Sequence, residues 1–145
     1  MSLKINSLSY PKEFESNYVL AVDPIFSKSF FDIIERSGRK SNITKMLEQR
    51  LRFLEERKHL VFNKADWFEN VKRYNDIFVI KIKDANLNIR IPFVFFTYNQ
   101  KEYAVLLSAF TETKHATAKT ESYRSHMAAI MPIVNNLEEV FDREL

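Results

Sequence analysis

The sequence predicts an α+β fold: a small antiparallel sheet with an N-terminal helical pair packed on one face, followed by C-terminal helices. Three observations carry that reading. Residues 77–110 hold three apolar runs of strand length, the first two being Ile77-Phe78-Val79-Ile80-Lys81-Ile82-Lys83 and Ile89-Arg90-Ile91-Pro92-Phe93-Val94-Phe95-Phe96 and the third spanning residues 103–110. They are rich in Ile, Val, Phe and Tyr and are separated by Asp84-Ala85-Asn86 and Tyr98-Asn99-Gln100-Lys101, the pattern of a three-strand meander. On either side of the meander, apolar residues recur at spacings of three and four, the period of a helix. Finally, 145 residues with 13 Phe, 6 Tyr and 1 Trp suit a single domain able to bury a core.

The elements follow in chain order. Residues 1–17 show no periodicity, and Pro11 with its polar neighbours marks an irregular lead-in. Tyr18-Val19-Leu20-Ala21-Val22 is long enough to add a strand. Asp23-Pro24 signals a helix start, because Asp accepts from the free N–H groups of a first turn and Pro lacks a donor that would be unsatisfied there. This helix runs to about Arg36 with Phe26, Phe30, Ile33 and Ile34 on one face, and Gly38, the only glycine, stops it. Ser41 or Asn42 caps a second helix to about Lys58, striped by Ile43, Met46, Leu47, Leu51 and Leu54. Trp67-Phe68 and Val71 then give a short element over the sheet margin. Within the second strand, Pro92 cannot donate to a ladder, which predicts a bulge or a free edge. Residues 111–120 read as an exposed Thr-rich loop. Thr120 and Glu121 begin a helix in which Tyr123, Met127 and Ile130 share a face and which Pro132 ends. A last helix over 134–145 repeats Val134, Leu137, Val140 and Phe141 and is acidic through Glu138, Glu139, Asp142 and Glu144. The single domain thus divides into a lead-in (1–17), a core (18–131) and an added acidic helix (132–145).

Composition removes several function classes. There is no cysteine, so disulfides and thiolate metal sites are out, and one glycine cannot build a phosphate-binding loop. No His pair has metal spacing and no Gly-x-Ser-x-Gly elbow is present, so no metal or other cofactor is expected. No run approaches the roughly 20 apolar residues of a membrane helix, and the first ten residues lack the apolar segment of a secretory signal; a cytoplasmic protein without membrane contact is the expectation. The net charge of +3 permits a polyanionic partner. Between residues 36 and 58, eight Lys and Arg stand against three Glu. A solvated face with Glu–Arg pairs is the simpler account of that excess, and an RNA-facing surface is the other. Arg50 falls inside the apolar stripe, where it meets a carboxylate or emerges at the sheet edge.

What remains is a cationic set on a sheet. Residues two apart on a strand share a face, so Lys81 and Lys83 stand together and the return strand brings Arg90 back beside them. Lys114, His115 and Lys119 lie on the loop that follows, and Tyr123 and His126 sit one turn apart on the next helix. The first three form a phosphate clamp and the rest supply groups for proton transfer. Two lysines on an amphipathic strand also suit plain solvent exposure; the conjunction on one side of one sheet is what favours chemistry.

Lys81-Ile82-Lys83, Arg90 opening an apolar strand, an apolar third strand and a basic segment with a tyrosine, all preceded by a short strand and two helices, resemble the RelE/HigB superfamily of bacterial toxins over roughly residues 18–127. That resemblance implies a metal-independent endoribonuclease, an mRNA interferase that cuts mRNA on the ribosome and is held inactive by a cognate antitoxin. It implies attack of a substrate 2′-hydroxyl on the adjacent phosphate, giving a 2′,3′-cyclic phosphate and a free 5′-hydroxyl. Carried over by position, Lys81 and Lys83 are the strand lysines, one helping to deprotonate the 2′-hydroxyl and one holding phosphate. Arg90 stabilises the phosphorane, Lys114 is the basic residue after the last strand, and Tyr123 is the C-terminal acid/base or stacking residue. Arg50, His115, Lys119 and His126 complete an RNA-binding set. HigB-like members carry a Lys-Lys pair shortly after the Phe that closes the last strand; here Phe110 is followed by Thr111-Glu112-Thr113 before Lys114. The alternative on the same scaffold is a non-nuclease binding protein, either a ParE-like gyrase inhibitor or a phage or mobile-element accessory protein. A homodimer through the C-terminal helix is a further expectation.

Overall fold

One alternation runs through the central strands of the computed structural model and sets its architecture. Ile80, Ile82, Ile89, Ile91, Phe93, Ala104 and Leu106 belong to one core, while Val79, Val94, Val105 and Leu107 belong to another. Odd and even positions of each strand therefore face opposite layers, and both faces are apolar, which is why the runs read as nearly continuous. The structure describes residues 3–8, 11, 14–71, 73–74, 76–112 and 116–144, with backbone alone over 116–122.

The elements are β1 (Lys4–Ser7), β2 (Val19–Asp23), α1 (Ile25–Ser37), α2 (Lys40–Arg57), a 3-10 turn (Lys58–Asn63), β3 (Phe68–Asn70), β4 (Phe78–Asp84), β5 (Leu87–Tyr98), β6 (Lys101–Leu106), β7 (Phe110–Thr111), α3 (Ala116–Asn135) and α4 (Leu137–Glu144). The sheet order is β1-β2-β6-β5-β4-β3, with β7 also pairing β5. Every pairing is antiparallel except β2 with β6. On one face lie α1 and α2, through Phe26, Phe30, Ile34, Ile43, Leu47, Leu51 and Leu54. On the other lie α3 and α4, through Met127, Ile130, Ile133, Leu137, Val140 and Phe141. The predicted α+β class, with an N-terminal helical pair on one face of a mainly antiparallel sheet, is the observed one.

Local chemistry accounts for the element ends. Asp23 Oδ1 accepts from Ser27 N at 3.0 Å and from Ser27 Oγ at 2.8 Å, closing the first turn of α1. Gly38, at φ 68°, ends that helix in the left-handed conformation. The β5–β6 hairpin turns on Asn99 and Gln100, both at positive φ, as a two-residue loop of primed type requires. Pro92 lies inside an unbroken β5. Its carbonyl accepts from Leu107 N at 2.9 Å, and a strand residue's nitrogen faces the same side as its carbonyl. The missing donor therefore faces the gap between β6 and β7, the free-edge solution.

Four expectations need correction. The lead-in is not all irregular, since β1 pairs β2 with Ile5 opposite Val22. The second helix starts at Lys40, with neither Ser41 nor Asn42 as its cap. The segment after β7 is helical from Ala116, so the predicted loop over 111–120 is shorter. Pro132 sits inside α3 rather than ending it; the helix keeps Met127, Ile130 and Ile133 on the sheet, and this burial outweighs the roughly 3 kcal/mol an interior proline costs. The apolar stripe of α4 docks on its own sheet, so a homodimer through that helix has only the acidic outer face to use. Among the described residues, no helix is long and apolar enough to cross a membrane.

Candidate functional site

Strand register brings the predicted cations together. Lys81 is the direct partner of Arg90 and Lys83 that of Asn88, while Arg90 also faces Phe110 of β7. Because Ile80 and Ile82 point to α1 and α2, Lys81, Lys83 and Arg90 share the α3 face. Lys81 N donates to Trp67 O at 2.7 Å and Lys81 O accepts from Arg50 Nε at 2.9 Å. Both backbone groups of Lys81 thus point away from β5, making Lys81–Arg90 a non-hydrogen-bonded pair, the kind whose side chains approach most closely. Like charges directly opposite repel, and the chain supplies a counter-ion. Arg90 Nη2 lies 2.6 Å from Glu112 Oε2, with side chains only 12% and 3% exposed. Arg90 Nη1 also donates to Ile89 O at 3.3 Å. Lys83 is exposed and Lys81 half-buried.

Tyr123 closes one side of the cluster. Its hydroxyl donates to Glu69 Oε1 at 2.9 Å, and its ring meets Phe110 edge-on at 5.6 Å. Burial, reinforced by the Glu69 and Glu112 carboxylates and opposed by Arg90, raises the Tyr123 phenol well above its usual range. Tyr123 therefore keeps its proton and acts here as a hydrogen-bond donor. His126 stacks on the Phe110 ring, at 4.1 Å and 9° between planes. Burial holds its imidazole below its usual value, so it is neutral at pH 7.

Not every predicted residue joins this group. Arg50 is buried at 5% exposure beneath α2, where its guanidinium lies 4.4 Å over Trp67 and donates to Lys81 O and Met46 O. Burial lowers its pKa and the Asp66 charge opposes that shift. It completes the β4 ladder where β3 runs out, so the RNA contact expected of it is replaced by a structural role. Lys114 and His115 lie outside the described residues, as does the Lys119 side chain. Sequence reasoning missed Glu112 and Glu69. Glu112 carried a signal, an acid directly after the strand that faces Arg90; Glu69 carried none, because only the β3–β4 register, Glu69 opposite Val79, places it on this face.

The arrangement presents two lysines to solvent beside a fixed Arg–Glu pair and a donor phenol, a surface suited to a phosphate-bearing ligand. Among the described residues, no group of three or more His, Asp or Glu is placed to hold a metal ion. Comparisons with protein-family models, with curated proteins and with solved structures find no match to this chain.

Proposed function

We propose that the chain is the toxin of a toxin–antitoxin pair, a cytoplasmic, ribosome-dependent mRNA endoribonuclease that works without a metal. The observation that supports it is the Lys81–Arg90 pair, two cations at adjacent non-hydrogen-bonded positions, with exposed Lys83 beside them and Tyr123 alongside. In the proposed reaction the 2′-oxygen of a nucleotide forms a bond to the adjacent phosphorus and the P–O5′ bond breaks. The 2′-hydroxyl proton passes to Lys81, which must be in its uncharged form to act as base, and Lys81 returns that proton to the departing 5′-oxygen, leaving a 5′-hydroxyl and a 2′,3′-cyclic phosphate. Lys83 holds the phosphate. Arg90, fixed by Glu112, contributes its charge from a set position, and Tyr123 offers a hydrogen bond or a stacking face. Lys114, His115, Lys119 and His126 belong to the proposed RNA contact, with an antitoxin covering this face in the inactive complex.

The burial of Arg90 against Glu112 favours a second reading, a non-nuclease binding protein in which that pair is structural: a ParE-like gyrase inhibitor or a phage or mobile-element accessory protein. In-vitro translation with purified protein, with mRNA ends mapped by primer extension, separates the two. Cuts that require translating ribosomes and fade in Lys81→Ala and Lys83→Ala support the nuclease. Intact mRNA at high protein concentration sinks it and sends attention to gyrase inhibition.

A further inference from the structure

Tyr123 touches the sheet at two places that are not neighbours. Its ring meets Phe110 of β7 edge-on at 5.6 Å, and its hydroxyl donates to Glu69 Oε1 of β3 at 2.9 Å. In the sheet β7 pairs β5, β5 pairs β4 and β4 pairs β3, so β5 and β4 separate the two contacts. At about 4.8 Å per strand the backbones of β7 and β3 stand roughly 14 Å apart. The Tyr123 side chain therefore lies across β5 and β4 at the Lys81–Arg90 pair, and its phenol is near enough to Arg90 for that charge to act on its ionisation. Exposure follows the same line. The Arg90 side chain is 12% exposed and Lys81 is half-buried, whereas Lys83, two residues further along β4, is exposed.

The two ends of α3 are held differently. Met127, Ile130 and Ile133 are buried in the core beneath the helix and anchor its later turns. Before Met127, the helix meets the sheet through Tyr123 and through His126, whose ring stacks on Phe110. Breaking the Tyr123–Glu69 bond leaves the three buried residues docked, so the earlier turns can lift as a local opening. Tyr18 makes the same kind of bond on the opposite face, Oη to Glu102 Oε1 at 2.7 Å. That bond joins the start of β2 to β6, strands that already pair, and its loss releases no element.

We propose that the Tyr123–Glu69 bond is a latch over the cationic site. Closed, it holds α3 across Lys81 and Arg90 and keeps phosphate from them. Open, it uncovers both cations and frees the phenol to meet a ligand. Glu69 serves the closed state twice, as the acceptor for the phenol and as a negative charge that repels an approaching anion. A phosphate that binds the open form alone draws the latch open, and its apparent affinity is lowered by the fraction of chains that are closed. The latch regulates the site of the proposed nuclease and rests on that reading only in taking a phosphate group as the ligand.

Two measurements on the full chain test it. Hydrogen exchange followed by NMR without ligand reports the latch itself. In Tyr123→Phe, which keeps the ring and loses the hydroxyl, amides of residues 123–127 should exchange roughly tenfold faster, the loss of one hydrogen bond to a carboxylate. Amides of Ile130 and Ile133 should exchange as in the parent. Calorimetric titration with inorganic tripolyphosphate reports access. Binding should tighten about tenfold in Tyr123→Phe and also in Glu69→Ala, and the double variant should bind no tighter than Glu69→Ala, because the second change has no bond left to break. A gain in Glu69→Ala alone is the plain loss of a negative charge and overturns the latch. Unchanged exchange in Tyr123→Phe overturns it too, while tripolyphosphate binding that Lys81→Ala weakens leaves the phosphate site standing. Faster exchange with no tripolyphosphate bound by any form sinks the phosphate site and the regulation with it.

Discussion

The two faces of the sheet each hold a cationic or imidazole group against a glutamate, and burial makes them different objects. Arg90–Glu112 is 12% and 3% exposed, whereas His59–Glu102 is 59% and 33% exposed. A buried pair has lost its hydration, so each charge depends on the other and the pair acts as a structural clamp under exposed Lys83. An exposed pair keeps most of its hydration, so it holds the imidazole in place at little cost and adds little stability. The same side-chain chemistry thus serves scaffold on one face and surface on the other.

The sharpest way to break this contrast is to truncate both glutamates. Glu112→Ala should cost about 3–5 kcal/mol in urea unfolding, because Arg90 is left as an uncompensated buried charge, while Glu102→Ala should cost about 1 kcal/mol for the hydrogen bond from Tyr18. Equal costs would erase the distinction. Arg50→Met, which keeps apolar volume but strips the donor from Lys81 O, should cost roughly 1–3 kcal/mol by the same measurement.

Smaller effects sharpen the comparison through pH. Tyr123 on one face and Tyr18 on the other both have pKa values raised above 10.0, burial being the largest cause for each. Their folded forms hold the phenol proton more tightly than the unfolded chain does. The stabilisation is therefore complete below about pH 10 and declines as pH rises beyond it. Unfolding midpoints measured across that range should fall less steeply in Tyr123→Phe and Tyr18→Phe than in the parent. His126 runs the other way: burial lowers its pKa, so its contribution is present above about pH 6.5 and is lost as pH falls below it. His126→Gln should flatten the acid limb of stability. The least change in stability, within about 0.5 kcal/mol, is expected for exposed Lys83→Ala, even as translation-dependent mRNA cleavage drops.

Much of the fold was legible because strand and helix periods are local. Ile80 and Ile82 alternating with Lys81 and Lys83, the Asp23 signal before α1 and Gly38 after it all act over a few residues. The misses share a cause. β1 has too few apolar residues to announce itself, and its Ile5 is buried only because β2 and α4 lie beside it. Pro132 stays helical because distant strands hold its neighbours. In the candidate site, the grouping of Lys81, Lys83 and Arg90 followed from spacing across one tight hairpin, while the Glu69 and Glu112 partners depended on separate strand pairings.

By itself, the sequence determined the α+β class, the meander and its cationic face, since these follow from periodicity and turn chemistry that each segment carries alone. Only the tertiary structure decided that Arg50 is buried and Arg90 mostly so, that Glu112 pairs with Arg90 while backbone carbonyls engage Arg50, and that Tyr18, His59 and Glu102 converge from three distant segments. The physical reason is that burial and charge pairing are properties of what packs nearby, and residues 18, 59 and 102 become neighbours only when the chain closes on itself.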